Sequence, residues 1–268
     1  MNFITKPKKS LGQNFLIDNN IINKIIKIGN INQNKIILEI GSGYGSLTEK
    51  IANLKPKKLL AVEKDKKLSS ILEEMFKNSH NVKIINKDIL NVIKDKNLGK
   101  NVIVFGNLPY NISTQVLASF MLIEKWPPWF DMLILMFQKE VADRIISKAN
   151  TKNFGRLSIL CNWRTDVTKH FDVSKNCFFP KPKVSSTVLS FTPRKKIKYN
   201  IKNPKYLEKT TRILFSNRRK MINKNFLELF DNNEAVAKEL NINLKIRPEE
   251  LNHETFYKIA EKYEKLFS

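Results

Sequence analysis

The chain has 268 residues, of which 42% are apolar, and a formal net charge of +23; that length can bury a sizeable core, as one large domain or as a catalytic domain with a small appendage. No apolar run approaches the roughly 18 residues that span a bilayer, and the start Met1-Asn2-Phe3-Ile4-Thr5-Lys6 lacks a signal-peptide core, so the protein is expected in the cytoplasm and off the membrane. Cys161 and Cys177 form no CxxC and have no neighbouring histidine pair, which argues against zinc and a disulfide framework, and His80, His170 and His253 are scattered.

Residues 1 to 20 read as a basic arm, Lys6 to Lys9, with Asn14-Phe15-Leu16 as an anchoring turn, and a helical pattern covers Asn19 to Ile28. Strands are then predicted near 35–40, 58–63, 82–86 and 101–106, alternating with helical segments near 46–54, 65–77 and 114–124. Trp126-Pro127-Pro128-Trp129 interrupts the pattern, Asp131 to Gln138 is a fifth strand, and Lys139 to Ser147 reads as a helix. This alternation predicts an α/β fold, a parallel sheet with helices on both faces. After the polar loop Ala149 to Gly155, the apolar run Leu157 to Trp163 fits helix or strand, and Ser186 to Phe191 is a second apolar run. Thr192-Pro193-Arg194-Lys195-Lys196 reads as a domain boundary, and the pattern beyond Asn203 is helical.

The chemistry gathers at the strand ends. Lys35 to Ile40 runs into Gly41-Ser42-Gly43-Tyr44-Gly45, where glycines let backbone N–H groups approach a ligand closely. Glu63 ends the next strand 22 residues after Gly41, where a carboxylate can accept from both hydroxyls of a ribose. Asp88 follows the third strand and can accept from an adenine amine of the cofactor. A dinucleotide dehydrogenase would share the first two features. Asn107-Leu108-Pro109-Tyr110, directly after Val102 to Gly106, separates the readings, because hydride transfer has no use for it. The Asn107 oxygen and a backbone carbonyl fixed by Pro109 can accept both hydrogens of a planar exocyclic amine while Tyr110 stacks on its ring, a setting for methylation of an adenine-like NH2.

At these residues the chain closely resembles the ribosomal RNA adenine N6,N6-dimethyltransferases, those acting on small-subunit RNA in particular. The resemblance runs through Lys9 to Leu16, Glu39 to Thr48, Asn107 to Tyr110, Gln138 to Arg144, Gly155 to Ser158, Phe178 to Val184 and Phe215 to Lys220. It implies a Rossmann-like S-adenosylmethionine-dependent methyltransferase domain over 1–193 and a small helical RNA-binding domain over 194–268. It places the cofactor on Asn14, Leu16, Gly41, Glu63, Asp88 and Asn107. It assigns the target base to Asn107, Leu108, Pro109 and Tyr110, with Phe178 as a second aromatic opposite Tyr110. It implies no metal, a monomer, and two adjacent adenosines in the 3′-terminal hairpin loop of small-subunit RNA, within an immature 30S-type subunit, as the target. The chain departs from the family at Ser42 and Tyr44, where Pro and Leu are common, and at Ser185, commonly Asp.

Charge distribution agrees with an RNA partner. Lys181 to Leu227 holds 14 Lys or Arg against Glu208 alone, whereas Glu228 to Ser268 holds 6 against 9 acids; a drift toward lysine across the chain would not concentrate charge in this way. Arg218-Arg219-Lys220 is either a solvated basic face or a phosphate contact, and Arg144 reads as an i,i+4 partner of Glu140. Three alternatives stand beside the main reading: dimethylation of large-subunit RNA, adenine-N6 methylation of DNA, and a ribosome-assembly role carried by binding.

Overall fold

The computed structural model describes residues 7–94 and 98–268. Lys6 of the basic arm, like the rest of the Met1 to Lys6 start, lies outside the described residues. A two-residue strand β1 (Phe15–Leu16) and helix α1 (Asn19–Ile28) come first. Asp18 caps α1, its Oδ1 accepting from the main-chain N–H groups of Asn20 at 2.9 Å and Ile21 at 3.1 Å. Strands and helices then alternate: β2 (Ile36–Ile40), α2 (Ser46–Asn53), β3 (Lys58–Val62), α3 (Lys66–Met75), β4 (Val82–Ile85), α4 (Ile89–Val92), β5 (Val102–Asn107), α5 (Ser113–Met121), β6 (Phe130–Gln138) and α6 (Lys139–Ile145). Next come α7 (Arg156–Arg164), β7 (Thr165–Val173), β8 (Phe178–Phe179) and β9 (Ser186–Pro193), then α8 (Pro204–Leu214), α9 (Asn223–Leu229), α10 (Ala235–Glu239) and α11 (His253–Phe267).

The large sheet runs in the order β4-β3-β2-β5-β6-β9-β7. Its first five strands are parallel and β9 runs antiparallel to β6. Consecutive residues along β2, β3 and β5 are buried, Ile37 and Leu38 as fully as Val104 and Phe105. That is the pattern of strands covered on both faces, and it explains why the sequence shows unbroken apolar runs there. Register fixes the site: Ile40, Val62, Ile85 and Gly106 lie in one row across four strands. Gly41, Glu63 and Asn107 are each the next residue after that row, and Asp88 follows it by three. The order reverses between β2 and β5, the crevice where open α/β sheets bind ligands.

The chain forms two compact units, one from the described residues up to Ser119 with Pro128–Ala142 and Val167–Pro193, the other from Phe120–Pro127, Asp143–Asp166 and Arg194–Ser268. In the second, Asn203 caps α8 through the Lys205 N–H at 3.0 Å with Pro204 in the first turn, and Asn252 caps α11 through the Thr255 N–H at 2.9 Å. Phe215 stacks on the fully buried Phe256 with centroids 5.3 Å apart.

Several elements go beyond the sequence reading, the short α4 and β8 among them. Leu157 to Trp163, open between helix and strand, is helical within α7. The nine-residue β7 was not foreseen: it lies at the sheet edge, where Asp166, Lys169 and His170 face solvent and break the apolar pattern. Among the described residues no helix is long and apolar enough to cross a membrane, and no cluster of metal-ligating side chains occurs.

Candidate active site

A cavity opens at the carboxyl ends of β2, β3 and β5. Eight of the ten residues expected from the sequence line it: Asn14, Gly41, Glu63 and Asp88, expected to hold the cofactor, and Asn107, Leu108, Pro109 and Tyr110. Leu16 lines an adjoining, smaller space that shares Phe15, Gly41, Gly43 and Asn107 with the first. Phe178 lines neither. Its ring is 3% exposed and packs in the core with Leu16 and Ile25, while Phe179 beside it is 40% exposed. The antiparallel pairing of β1 with β8, Leu16 against Phe178, is what holds that ring inward.

The glycine loop is shaped by what crosses it. Gly41, Gly43 and Gly45 all have positive φ, at 73°, 57° and 83°, which side-chain-bearing residues rarely adopt. A Cβ on Gly43 would also meet the Phe15 ring at 2.8 Å. The amino-terminal segment thus lies directly on the loop, and Tyr44 meets the same Phe15 ring edge-on at 4.7 Å.

Glu63 accepts from the Gly43 N–H at 2.9 Å through one carboxyl oxygen and from the Asp65 N–H at 2.8 Å through the other. Burial raises its pKa, and these backbone donors offset part of the rise. Each oxygen retains a lone pair for a ligand hydroxyl. Asp88 accepts from Lys64 Nζ at 2.8 Å and caps α4 through the Leu90 N–H at 2.9 Å; the lysine hydrogen bond leads the groups that lower its pKa. Glu39, on β2 and 2% exposed, is pushed up to about 7 by burial.

Asn107 is oriented by its own amide. Nδ2 donates to the Asn14 carbonyl at 2.8 Å, which turns Oδ1 away as an acceptor. The Pro109 carbonyl already accepts from the Ile112 N–H at 3.1 Å, which favours Leu108 as the second carbonyl acceptor. The Tyr110 hydroxyl is 2.7 Å from Ser186 Oγ, a bond that holds the ring at the cavity edge; burial raises its pKa and the Ser186 bond lowers it in part.

Four supporting residues escaped the sequence reading. Asp65 accepts from Lys8 Nζ at 2.8 Å and Gln13 Nε2 at 3.2 Å, clamping the amino-terminal segment beside the cavity. Lys64 partners Asp88, Ser186 positions Tyr110, and Glu39 is buried under the glycine loop. Only Asp65 left a signal, a second acid two residues after Glu63 at a helix start.

The chain is similar to known proteins along nearly its whole length. The family described as ribosomal RNA adenine dimethylase matches residues 4–265. Ribosomal RNA small subunit methyltransferase A of Pelagibacter ubique (strain HTCC1062) is 50% identical over 261 residues, 97% of this chain and 98% of its own length. The protein of that name from Wolbachia sp. subsp. Drosophila simulans (strain wRi) is 39% identical, covering 99% of this chain and 96% of its own. The crystal structure of a dimethyladenosine transferase from Plasmodium falciparum superimposes with a TM-score of 0.73 at 27% identity, covering 91% of this chain and 95% of that one.

Proposed function

The chain belongs to the ribosomal RNA adenine dimethylase family and is an S-adenosylmethionine-dependent rRNA adenine-N6,N6-dimethyltransferase; from that premise we propose that it modifies two adjacent adenosines in the 3′-terminal hairpin loop of small-subunit RNA, within an immature 30S-type subunit. The observation that carries the reading is the oriented acceptor: Asn107 Oδ1, fixed by the Asn14 carbonyl, beside the Leu108 carbonyl and the Tyr110 ring in a cavity with Gly41 and Glu63.

The residues fit the cofactor. The glycine loop leaves room for a close approach, Glu63 can take two ribose hydroxyls, and Asp88 can take an adenine amine once it shares or exchanges Lys64. S-adenosylmethionine supplies an electrophilic methyl group on a sulfonium. What remains for the chain is alignment. Asn107 Oδ1 and the Leu108 carbonyl accept the two N6 hydrogens, drawing the amine lone pair out of the ring toward the methyl group. Tyr110 stacks on the extruded base, offsetting part of the few kcal/mol that leaving the RNA stack costs. The alkylated amine is strongly acidic and sheds its proton after transfer, so no residue must first remove it. The second round requires the pocket to admit one methyl group while one acceptor still holds the remaining hydrogen. Phe178 enters as the second wall on the resemblance alone, and its ring must turn out of the core to reach a base.

We assign catalysis to residues 1–193 and RNA binding to residues 194–268. Arg219 and Lys220 are exposed and suit phosphate, whereas Arg218 is committed to Glu249 at 2.8 Å and to the Lys152 carbonyl. We further propose that the protein acts in the cytoplasm as a monomer. The reading is tested by methyl transfer to undermethylated small subunits with Asn107→Ala as the control: dimethyladenosine in the hairpin loop from the wild type and none from the variant is expected, and modification elsewhere overturns the assignment.

A further inference from the structure

The ribbon of β1 and β8 has two unlike faces. Residues paired across an antiparallel ladder point to the same side, and successive residues alternate. Leu16 and its partner Phe178 share the inner face and are buried, whereas Phe15 and its partner Phe179 share the outer one. Phe179 is 40% exposed there, and Ile17, two residues beyond Phe15 and bonded through its N–H to the Cys177 carbonyl at 2.9 Å, is 41% exposed. Apolar side chains scattered singly on a surface need no partner, but two on one face beside a binding cavity mark a contact surface.

This face continues from the active cavity. The Asn107 amide holds the Asn14 carbonyl, and the ring of the next residue, Phe15, lies over Gly43 and lines both spaces of the site. Phe179 stands opposite Phe15, with Cα atoms about 5 Å apart, yet lines neither space. A base seated against Asn107 and Tyr110 therefore leaves Phe179 outside, beside whatever is attached to that base. The surroundings are basic: Lys175, Lys181 and Lys183 are exposed, and none has an ion pair among the described residues. Pro180 and Pro182 stiffen the backbone on either side of Lys181, and no acid occurs between Asp172 and Glu208. An apolar protein segment would leave these cations uncompensated, and a lone anion would leave the ring unused. A base on a phosphodiester strand uses both.

We propose that Phe179 is the stacking platform for the nucleotide next to the target adenosine, with Lys181 and Lys183 on the adjoining phosphates, so that the outer face of the ribbon guides the RNA strand into the cavity. The inference rests on the placement of the target amine at Asn107 and adds a contact outside the cavity. With two adjacent targets, the platform holds one adenosine while the other is methylated.

The test uses the full chain and undermethylated small subunits, with affinity read by sedimentation for Phe179→Ala, Phe179→Leu, Phe179→Trp and Lys181→Ala. Affinity is expected to fall about tenfold in Phe179→Ala and nearly as far in Phe179→Leu, and to stay within about threefold of wild type in Phe179→Trp, which keeps a flat ring. Lys181→Ala is expected to lower the salt dependence of binding by about one unit of slope. Cofactor affinity by calorimetry should hold in all four. Wild-type affinity in Phe179→Ala overturns the proposal, as does rescue by Leu equal to that by Trp, which would mean an apolar protein contact. A parallel loss of cofactor affinity also overturns it, because the ring would then support Phe15 and the glycine loop. Methyl transfer by the wild type, run alongside, separates the failures: transfer with affinity indifferent to Phe179 sinks this inference alone, and affinity set by Phe179 without transfer sinks the functional reading instead.

Discussion

The side-chain amide of Asn107 donates to the main-chain carbonyl of Asn14 at 2.8 Å across 93 residues of sequence. One bond therefore joins the end of the fourth parallel strand to the amino-terminal segment and sets the direction of the Asn107 oxygen. On the proposed reading, the cofactor seat and the target-amine acceptor are one unit, so that ordering the amino-terminal segment also completes the base site.

Replacing Asn107 by Ala removes both the acceptor and the tie. Methyl transfer is expected to fall by about 100-fold or more, the scale of losing one oriented transition-state hydrogen bond, while binding to immature small subunits is retained. A single-turnover assay with a parallel sedimentation assay checks this, and loss of binding equal to the loss of transfer would contradict it.

For Tyr110 the ring and the hydroxyl separate cleanly. Tyr110→Phe gives up only the bond to Ser186 and is expected to keep transfer within about threefold, since a neutral hydrogen bond contributes about 1 kcal/mol; Tyr110→Ala loses the stacking face and falls far further. Cofactor affinity by calorimetry should hold in both. Equal losses of transfer and cofactor binding in Tyr110→Ala would make the ring a support for the fold.

Glu63→Ala is expected to weaken cofactor binding by at least tenfold, because it removes the ribose acceptor and leaves the Gly43 and Asp65 N–H groups without their partner. Unchanged affinity would remove Glu63 from the site. Asp65→Asn keeps the cap of α3 but loses the charge that holds Lys8; cofactor KM should rise several-fold with kcat at saturation nearly unchanged. A fall in kcat alone would show that the clamp acts on the base side.

Glu39 makes a stability prediction with a definite sign. Its carboxyl ionises at about 7 in the folded chain against 4.5 ordinarily, so between these values the folded state binds more protons and stability falls as pH rises. Glu39→Gln is expected to raise Tm by a few degrees at pH 8 and to leave it nearly unchanged at pH 5, measured by scanning calorimetry. A lower Tm for the variant at pH 8 would show that the ionised carboxylate is stabilised in the fold.

The parallel strands were legible because burial on both faces writes continuous apolar runs, and their ends were marked by Gly41, Glu63, Asp88 and Asn107. The edge strand Thr165–Val173 was not, because both of its faces meet water along much of its length and admit Asp166, Lys169 and His170. The inward position of Phe178 was illegible for another reason: two adjacent phenylalanines on a strand point to opposite sides, and only the pairing of Leu16 with Phe178 decides which one is buried. The Asp65 clamp and the Ser186 contact join segments 52 and 76 residues apart, a distance that local pattern does not report.

The most direct measurement is transfer of labelled methyl groups from S-adenosylmethionine to undermethylated small subunits, large subunits and DNA in parallel, with mass mapping of the modified base. Dimethyladenosine confined to small-subunit RNA, at two adjacent positions of the 3′-terminal hairpin loop, is the predicted result. Label in large-subunit RNA or DNA, or tight small-subunit binding without any transfer, would contradict it.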